Sequence, residues 1–198
     1  MMMKSASKQE IIRRYYASLN HLAKGECKAD EVYKIELLMK QAKISTELRK
    51  VVSAALLRAE TTSTPAAAIE LADNRIVTAK TSELLGASAA LILNAIKVLG
   101  NIDDSIHLIS PTVIEPVQKL KTQYLGSSNP RLHTDEILIA LSMCAATDNN
   151  AHLALEQLPK LRGCQVHTSV MLSNVDIKIF HKLGIQLTSE PRYEHKKI

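Results

Sequence analysis

AAAIELADNRIVTAKTSELLGASAALILNAIKVLG, residues 66–100, changes hydropathic period partway along its length. Ala66 to Leu71 and Arg75 to Ala79 are short runs of small and β-branched residues around Ala72-Asp73-Asn74, a tripeptide suited to reversing the chain. They predict a β-hairpin. From about Ser82 to Leu99 the pattern turns helical, and Gly100 closes it. The early part of that helix, Gly86-Ala87-Ser88-Ala89-Ala90, is almost all small, as a helix lying close against a sheet requires. A hairpin followed at once by such a helix predicts the α/β class.

Downstream, Ser105 to Ile109 reads as a strand, and Ser110-Pro111 as an N-cap with a first-turn proline. Pro116 predicts a kinked or separate first turn there, and Gly126 an end. The loop Ser127 to His133 leads to a helix capped by Thr134. Another helix starts at Asn149 or Asn150 and ends near Pro159. Cys164 to Leu172 reads as a strand, Ser173 with Asp176 as a capping box, Gly184 as a helix end, and Ile185 to Ser189 as the last strand. Strands bridged by helices are nearly always parallel, with right-handed crossovers. The expectation is a three-layer α/β/α unit with a five-stranded mixed sheet. The Ser105 to Ile109 strand should run parallel to at least one of the last two. The element order is similar to a cytidine-deaminase-like topology.

Upstream, residues 8–60 read as three helices. Ser7 with Glu10 suggests a capping box before Ile11, Ile12, Tyr15 and Leu19, and Gly25 a stop. Asp30 can cap a second helix with Val32, Ile35, Leu38 and Met39 on one stripe. Ser45 can cap a third with Leu48, Val51, Val52, Ala55 and Leu56. Such a thin bundle needs something else to pack against. Thr61-Thr62-Ser63-Thr64-Pro65 is the best boundary, dividing a helical subdomain (1–64) from an α/β subdomain (65–198).

The whole chain has 198 residues, 46% hydrophobic and 23% charged, which suits a folded domain with an aliphatic core, since it holds one Phe and no Trp. No apolar run approaches the roughly 20 residues that cross a bilayer, and MMMKSASKQE lacks a signal-peptide core, so a cytoplasmic protein, or the cut end of something longer, is expected. The net charge is +5, with basic residues gathered in the first 60 residues and in His195-Lys196-Lys197. They alternate with Glu along helices, without aromatic or Gly-rich interleaving, so nucleic acid is not the expected partner. Cys27, Cys144 and Cys164 form no CxxC and read as small apolar groups in a reducing compartment.

Residues 66–100, IHLISPTVIEPVQKLK, NPRLHTDEILIALS and ALEQLPKLRGCQVHTSVMLS resemble the C-terminal part of the domain of unknown function 1846 family, also called uncharacterised protein family 0371. The similarity extends upstream through EIIRRYY and KIELLMKQA. The resemblance implies a much longer protein with a large N-terminal portion, so a site shared with that portion would be incomplete here. Ala79 stands where the family pattern has Gly before Lys-Thr-Ser.

Thr78-Ala79-Lys80-Thr81-Ser82 falls between a strand and an expected helix start, where backbone N–H groups attract anions. It lacks the upstream glycines of a nucleotide-binding P-loop. Ser110 and Ser173 fall at junctions of the same kind, which in an α/β sheet converge on one edge. In Asn129-Pro130-Arg131-Leu132-His133-Thr134, Arg131 suits a carboxylate or phosphate and His133 a proton transfer near neutral pH. Against this stands a cap-and-dipole reading, with Thr134 capping and Asp135 and Glu136 complementing the helix dipole. His167, on a strand between Val166 and Thr168, reads as a satisfied histidine rather than a catalyst. Zinc deaminases carry HxE and PCxxC where this chain has Lys80-Thr81-Ser82 and Ser110-Pro111-Thr112, so no metal and no cofactor is expected.

Two functions follow as expectations. One is a site for an anionic small molecule on Lys80, Thr81, Ser82, Ser110, Asn129 and Arg131, with His133 and Lys80 as catalytic groups if a reaction occurs. The other is an assembly module, building a homo-oligomer or completing a larger protein. An open polar junction favours the first, and a junction filled by its own side chains the second.

Overall fold

The hairpin forms as expected. β1 (Ala66–Glu70) and β2 (Ile76–Lys80) pair antiparallel, from Ala66 opposite Lys80 to Glu70 opposite Ile76. At the turn the Leu71 N–H donates to Arg75 O, and Asn74 takes a φ of 65°, a left-handed conformation that Asn tolerates. This computed structural model describes residues 2–194, with side chains from residue 6. The basic tail His195-Lys196-Lys197 lies outside the described residues.

β3 (Gln165–Thr168) adds antiparallel to β1, and β4 (Gln186–Ser189) adds parallel to β3. The sheet is mixed and runs β2-β1-β3-β4, with four strands rather than five. The missing strand is Ser105 to Ile109. Asp103 Oδ1 accepts both the Ser105 N–H (2.9 Å) and its hydroxyl, bending the chain, and the Lys97 ammonium holds the Asp104 carbonyl. Leu108 and Ile109 are buried as loop residues against the core. Their apolarity signals burial rather than strand pairing. Without that strand the parallel pairing expected for it cannot occur, and the cytidine-deaminase-like topology is not supported.

Register separates the two faces. Ala67, Ile69, Ala79 and Val166 join the main core with α4 (Ala87–Leu99), while Ala68 meets Val51 and Ala55 of α3 (Lys50–Thr62) on the other side. α1 (Met2–Ala23) lies over β4 and pairs with α2 (Ala29–Gln41) through Ile12, Tyr16 and Met39, with Val52 of α3 in the same cluster. α8 (Asn174–Lys182) shares the α4 face, and α6 (Thr134–Cys144) and α7 (Asn149–Leu155) pack beyond them. α5 (Pro111–Lys119) continues into a π-helical turn at Leu120–Tyr124. Three layers result, α/β/α.

Several helix starts differ from expectation. Ser7 lies inside α1, and Glu10 pairs with Arg13 and Arg14 instead of closing a capping box. α2 and α3 have Lys28 and Arg49 at their N-caps, with no side-chain cap. Pro116 sits within α5, so the irregularity comes later, in the π turn. Ser110 and Ser173 do cap, accepting the N–H of Thr112 (3.3 Å) and Asp176 (3.2 Å).

Candidate functional site

α4 begins at Ala87, not Ser82, and the intervening loop changes the expected junction. β2 ends at Lys80; the Thr81 N–H then donates to Pro65 O (2.8 Å) and the Ser82 N–H to Leu85 O (2.9 Å). The Leu85 N–H returns to the Ser82 hydroxyl at 3.1 Å. These donors are consumed within the loop, so Lys80-Thr81-Ser82 does not stand at a helix N-terminus. Ala79 is regular strand with its methyl buried in the core, as expected of a position that needs no left-handed backbone.

The loop is zipped to the segment before α6. The Leu132 N–H donates to Leu84 O (2.9 Å), and Leu85 and Leu132 form a parallel bridge. This brings Ser82, Asn129, Arg131 and His133 into one neighbourhood. Asn129 Oδ1 accepts the Arg131 N–H at 3.1 Å. Arg131 donates Nε to Ser82 O (2.9 Å) and Nη1 to Glu194 (2.7 Å). Beneath it the buried Lys121 ammonium joins Arg131 O (2.5 Å) to Glu136 (2.8 Å), and Glu136 also accepts the His133 N–H at 2.7 Å.

Two expected members stand apart. Lys80 shares a register face with Ala66 and Ala68, the α3 side, whereas Arg131 immediately precedes Leu132, which is buried in the core shared with α4. Among the described residues the Lys80 ammonium makes no ion pair. Ser110 spends its hydroxyl on Thr112, at the start of α5.

His133, not Thr134, is the N-cap of α6, and its partner comes from α8. Nδ1 lies 3.2 Å from Asp176 Oδ2, while Asp176 Oδ1 accepts the Thr134 N–H (3.0 Å) and hydroxyl (2.9 Å). The Ser173 hydroxyl adds a fourth donor at 2.8 Å. Burial pushes the Asp176 carboxyl up, but the donors from His133, Thr134 and Ser173 more than offset this and hold it below the ordinary value. The hydrogen bond to Asp176 raises His133 above its ordinary value, burial opposing. Among the described residues His133 Nε2 makes no hydrogen bond, so the arrangement can hold a proton on a ring whose orientation the carboxylate sets. Sequence reading places Asp176 only in the cap of its own helix; its second duty, across 43 residues, has no local signal.

A second polar cluster lies on the α1/α3 face of the sheet. Arg49 is 1% exposed and donates to Thr188 Oγ1 (3.0 Å), Val166 O (3.0 Å), Gln186 O (2.5 Å) and Gln165 Oε1. Burial draws its pKa down to about 10. His167 is fully buried, with Nδ1 on Thr188 Oγ1 (2.9 Å), Nε2 on Glu190 (3.2 Å) and Tyr16 tilted across the ring at 4.8 Å. Desolvation lowers His167 and the bond to His167 lowers Glu190, so a neutral ring donates Nε2–H to a carboxylate. His167 is therefore satisfied. Arg49 could have been suspected, as the cation between Leu48 and Val51 on an apolar stripe.

Two open clefts, of about 420 and 460 Å³, flank the lower end of the sheet near Arg13 and His181, and near Lys50 and Arg162. Neither includes an expected site residue. Among the described residues no three His, Cys, Asp or Glu side chains converge on a point that could hold a metal.

Residues 47–198 match the family described as "Domain of unknown function DUF1846, C-terminal". The chain is 52% identical over 193 residues to a UPF0371 protein of Corynebacterium diphtheriae, covering 98% of this chain and 39% of that protein. With the UPF0371 protein of Corynebacterium urealyticum it shares 50% over 195 residues, and with that of Streptococcus pyogenes serotype M5 47% over 193, both with the same coverage. It thus spans 39% of the length of these relatives. On both counts the chain belongs to the DUF1846 family and corresponds to its C-terminal part.

Proposed function

We propose that this chain is an assembly subdomain, completing a larger protein by packing against the portion that its relatives carry in addition. The observation that carries the reading is open apolar surface on a chain matching 39% of each relative: Tyr124, Leu125, Ile139 and Met143 are all more than 60% exposed. Apolar side chains left open in neighbouring pairs mark contact surfaces more often than isolated ones do. The filled junction supports it too, since the Arg131 guanidinium is committed to Ser82 O and Glu194. The test is thermal unfolding of the full-length Corynebacterium diphtheriae relative and of its matched segment alone. An assembly role makes the segment melt lower alone, because a partner binding only the folded state stabilises it. Identical melting in both settings overturns it.

A second reading has one observation in its favour, the His133–Asp176 pair beside Arg131. Here Arg131, Ser82 and Asn129 would hold an anionic small molecule, Glu194 yielding to it, and His133 would exchange a proton. Lys80, Thr81 and Ser110 would contribute at most long-range charge or backbone support. Titrating phosphate while following His133 by NMR tests this. A shift lost in Arg131→Ala supports it, and an unmoved resonance removes it.

A further inference from the structure

We propose that the open face of α2, Tyr33 with Leu37, together with Leu38 and Leu48 at its end, seats the polypeptide that precedes the matched segment in the longer family members. The inference rests on the assembly reading and gives it a location. α2 is apolar on more than one side. Ile35 and Met39 pack against α1 and Val32 is buried, while Tyr33 and Leu37, one turn apart, stay 60% and 40% exposed, and Leu38 46%. A helix with apolar residues around most of its circumference is stable when covered on more than one side. Here α2 packs chiefly on α1.

The placement of α2 points to the occupant. α1 and α2 reverse through Gly25, and the Tyr15 hydroxyl reaches Glu36 at 3.3 Å while Ile12 clusters with Met39, so the second half of α2 lies beside the middle of α1. The Gln9 side chain donates to Leu48 O at 2.9 Å, bringing Leu48, 46% exposed, to the same end. The family model matched at residues 47–198 is a C-terminal one, and the 193-residue alignment covers 39% of the relative, so there additional chain precedes the segment aligned with α1. Leu38 and Leu48 are open at the end of the α1/α2 pair nearer the start of α1. Asp30, Glu31, Lys34, Glu36 and Lys40 mix both signs along α2, which suits an uncharged polypeptide surface better than an anionic lipid or nucleic acid.

Amide hydrogen exchange on this chain and on the full-length Corynebacterium diphtheriae relative, corrected for intrinsic rates, tests the placement without any variant. Residues 33–41 should exchange about tenfold or more slowly in the longer protein, since covering a marginal helix raises its opening free energy. Slowing at the segment aligned with 120–125 but not at α2 overturns this inference and leaves the assembly reading standing. No slowing anywhere overturns both. Sedimentation of this chain alone supplies the remaining outcome. A dimer abolished by Leu37→Lys would make a second copy the occupant and sink the proposal.

Discussion

Arg49 shows how much one residue can hold at this site. Its guanidinium reaches carbonyls and side chains of both β3 and β4 from the start of α3, with no carboxylate among its hydrogen-bond acceptors. Removing a buried donor strands its acceptors as well as the packing it supported. Arg49→Met should therefore cost about 3 kcal/mol or more in urea unfolding. An unchanged midpoint would mean that water replaces the guanidinium freely. His133 and Asp176 give a prediction with a sign. His133 is raised above 6.5, so its contribution is complete below 6.5 and is lost as pH rises through its folded value. Asp176 is depressed below 3.8, so its share is present above 3.8 and is lost as pH falls through its folded value. The pair is strongest between those limits. Asp176→Asn should return His133 toward 6.5 in an NMR titration and should cost more stability near about pH 5 than near about pH 9. A pH-independent deficit would mean that only the cap on α6 was lost.

At the scale of the element, α4 and the edge strands explain what sequence patterns get right and wrong. α4 does lie close against the hairpin, with Ala87, Ala89 and Ala95 buried in the core they share with Ala67 and Ala79, and Asn94 donates to Thr78 O at 3.1 Å. At the opposite edge Asn20 covers Ser189 O at 3.1 Å. Side chains thus occupy carbonyls on both outer strands, where another chain could otherwise pair. Ala95→Leu should lower stability by about 1–3 kcal/mol, because a close-packed helix–sheet contact has no room for three more carbons. A neutral result in thermal unfolding would show an unfilled gap there. The hairpin was legible because its turn chemistry is local. The start of α4 was not, because Thr81 and Ser82 have the composition of a cap, yet their donors go to Pro65 and Leu85. Likewise the run at Ser105 carries apolar residues that the core needs, but its backbone is bent by Asp103.

Over the whole molecule, stability should be uneven. β1 is paired on both sides and covered on both faces, whereas α5 and the π turn are tied to the rest by Gln118 to Glu83 O (3.3 Å), by Lys121, and by Ile114 in the core. Amides of 111–125 should exchange well before those of β1 and β3, and Lys121→Met should quicken them further by leaving the partly buried Glu136 without its cation and the Arg131 carbonyl without its donor. Equal protection in the two regions would contradict this. No described helix is long and apolar enough to cross a membrane.

The sequence by itself determined the α/β class, the hairpin, the parallel last pair of strands and the caps at Ser110 and Ser173, because turns and caps depend on residues adjacent in the chain and a helix between two strands makes them parallel. Its long matching stretches also carried the family. Only the tertiary structure decided that the sheet has four strands, that Lys80 and Arg131 fall on different sides of it, and that Arg49 and Asp176 organise the two polar clusters. Those outcomes depend on which distant carbonyl or carboxylate a donor meets. Such pairings cost nothing to local propensity, and so leave no trace in the local pattern.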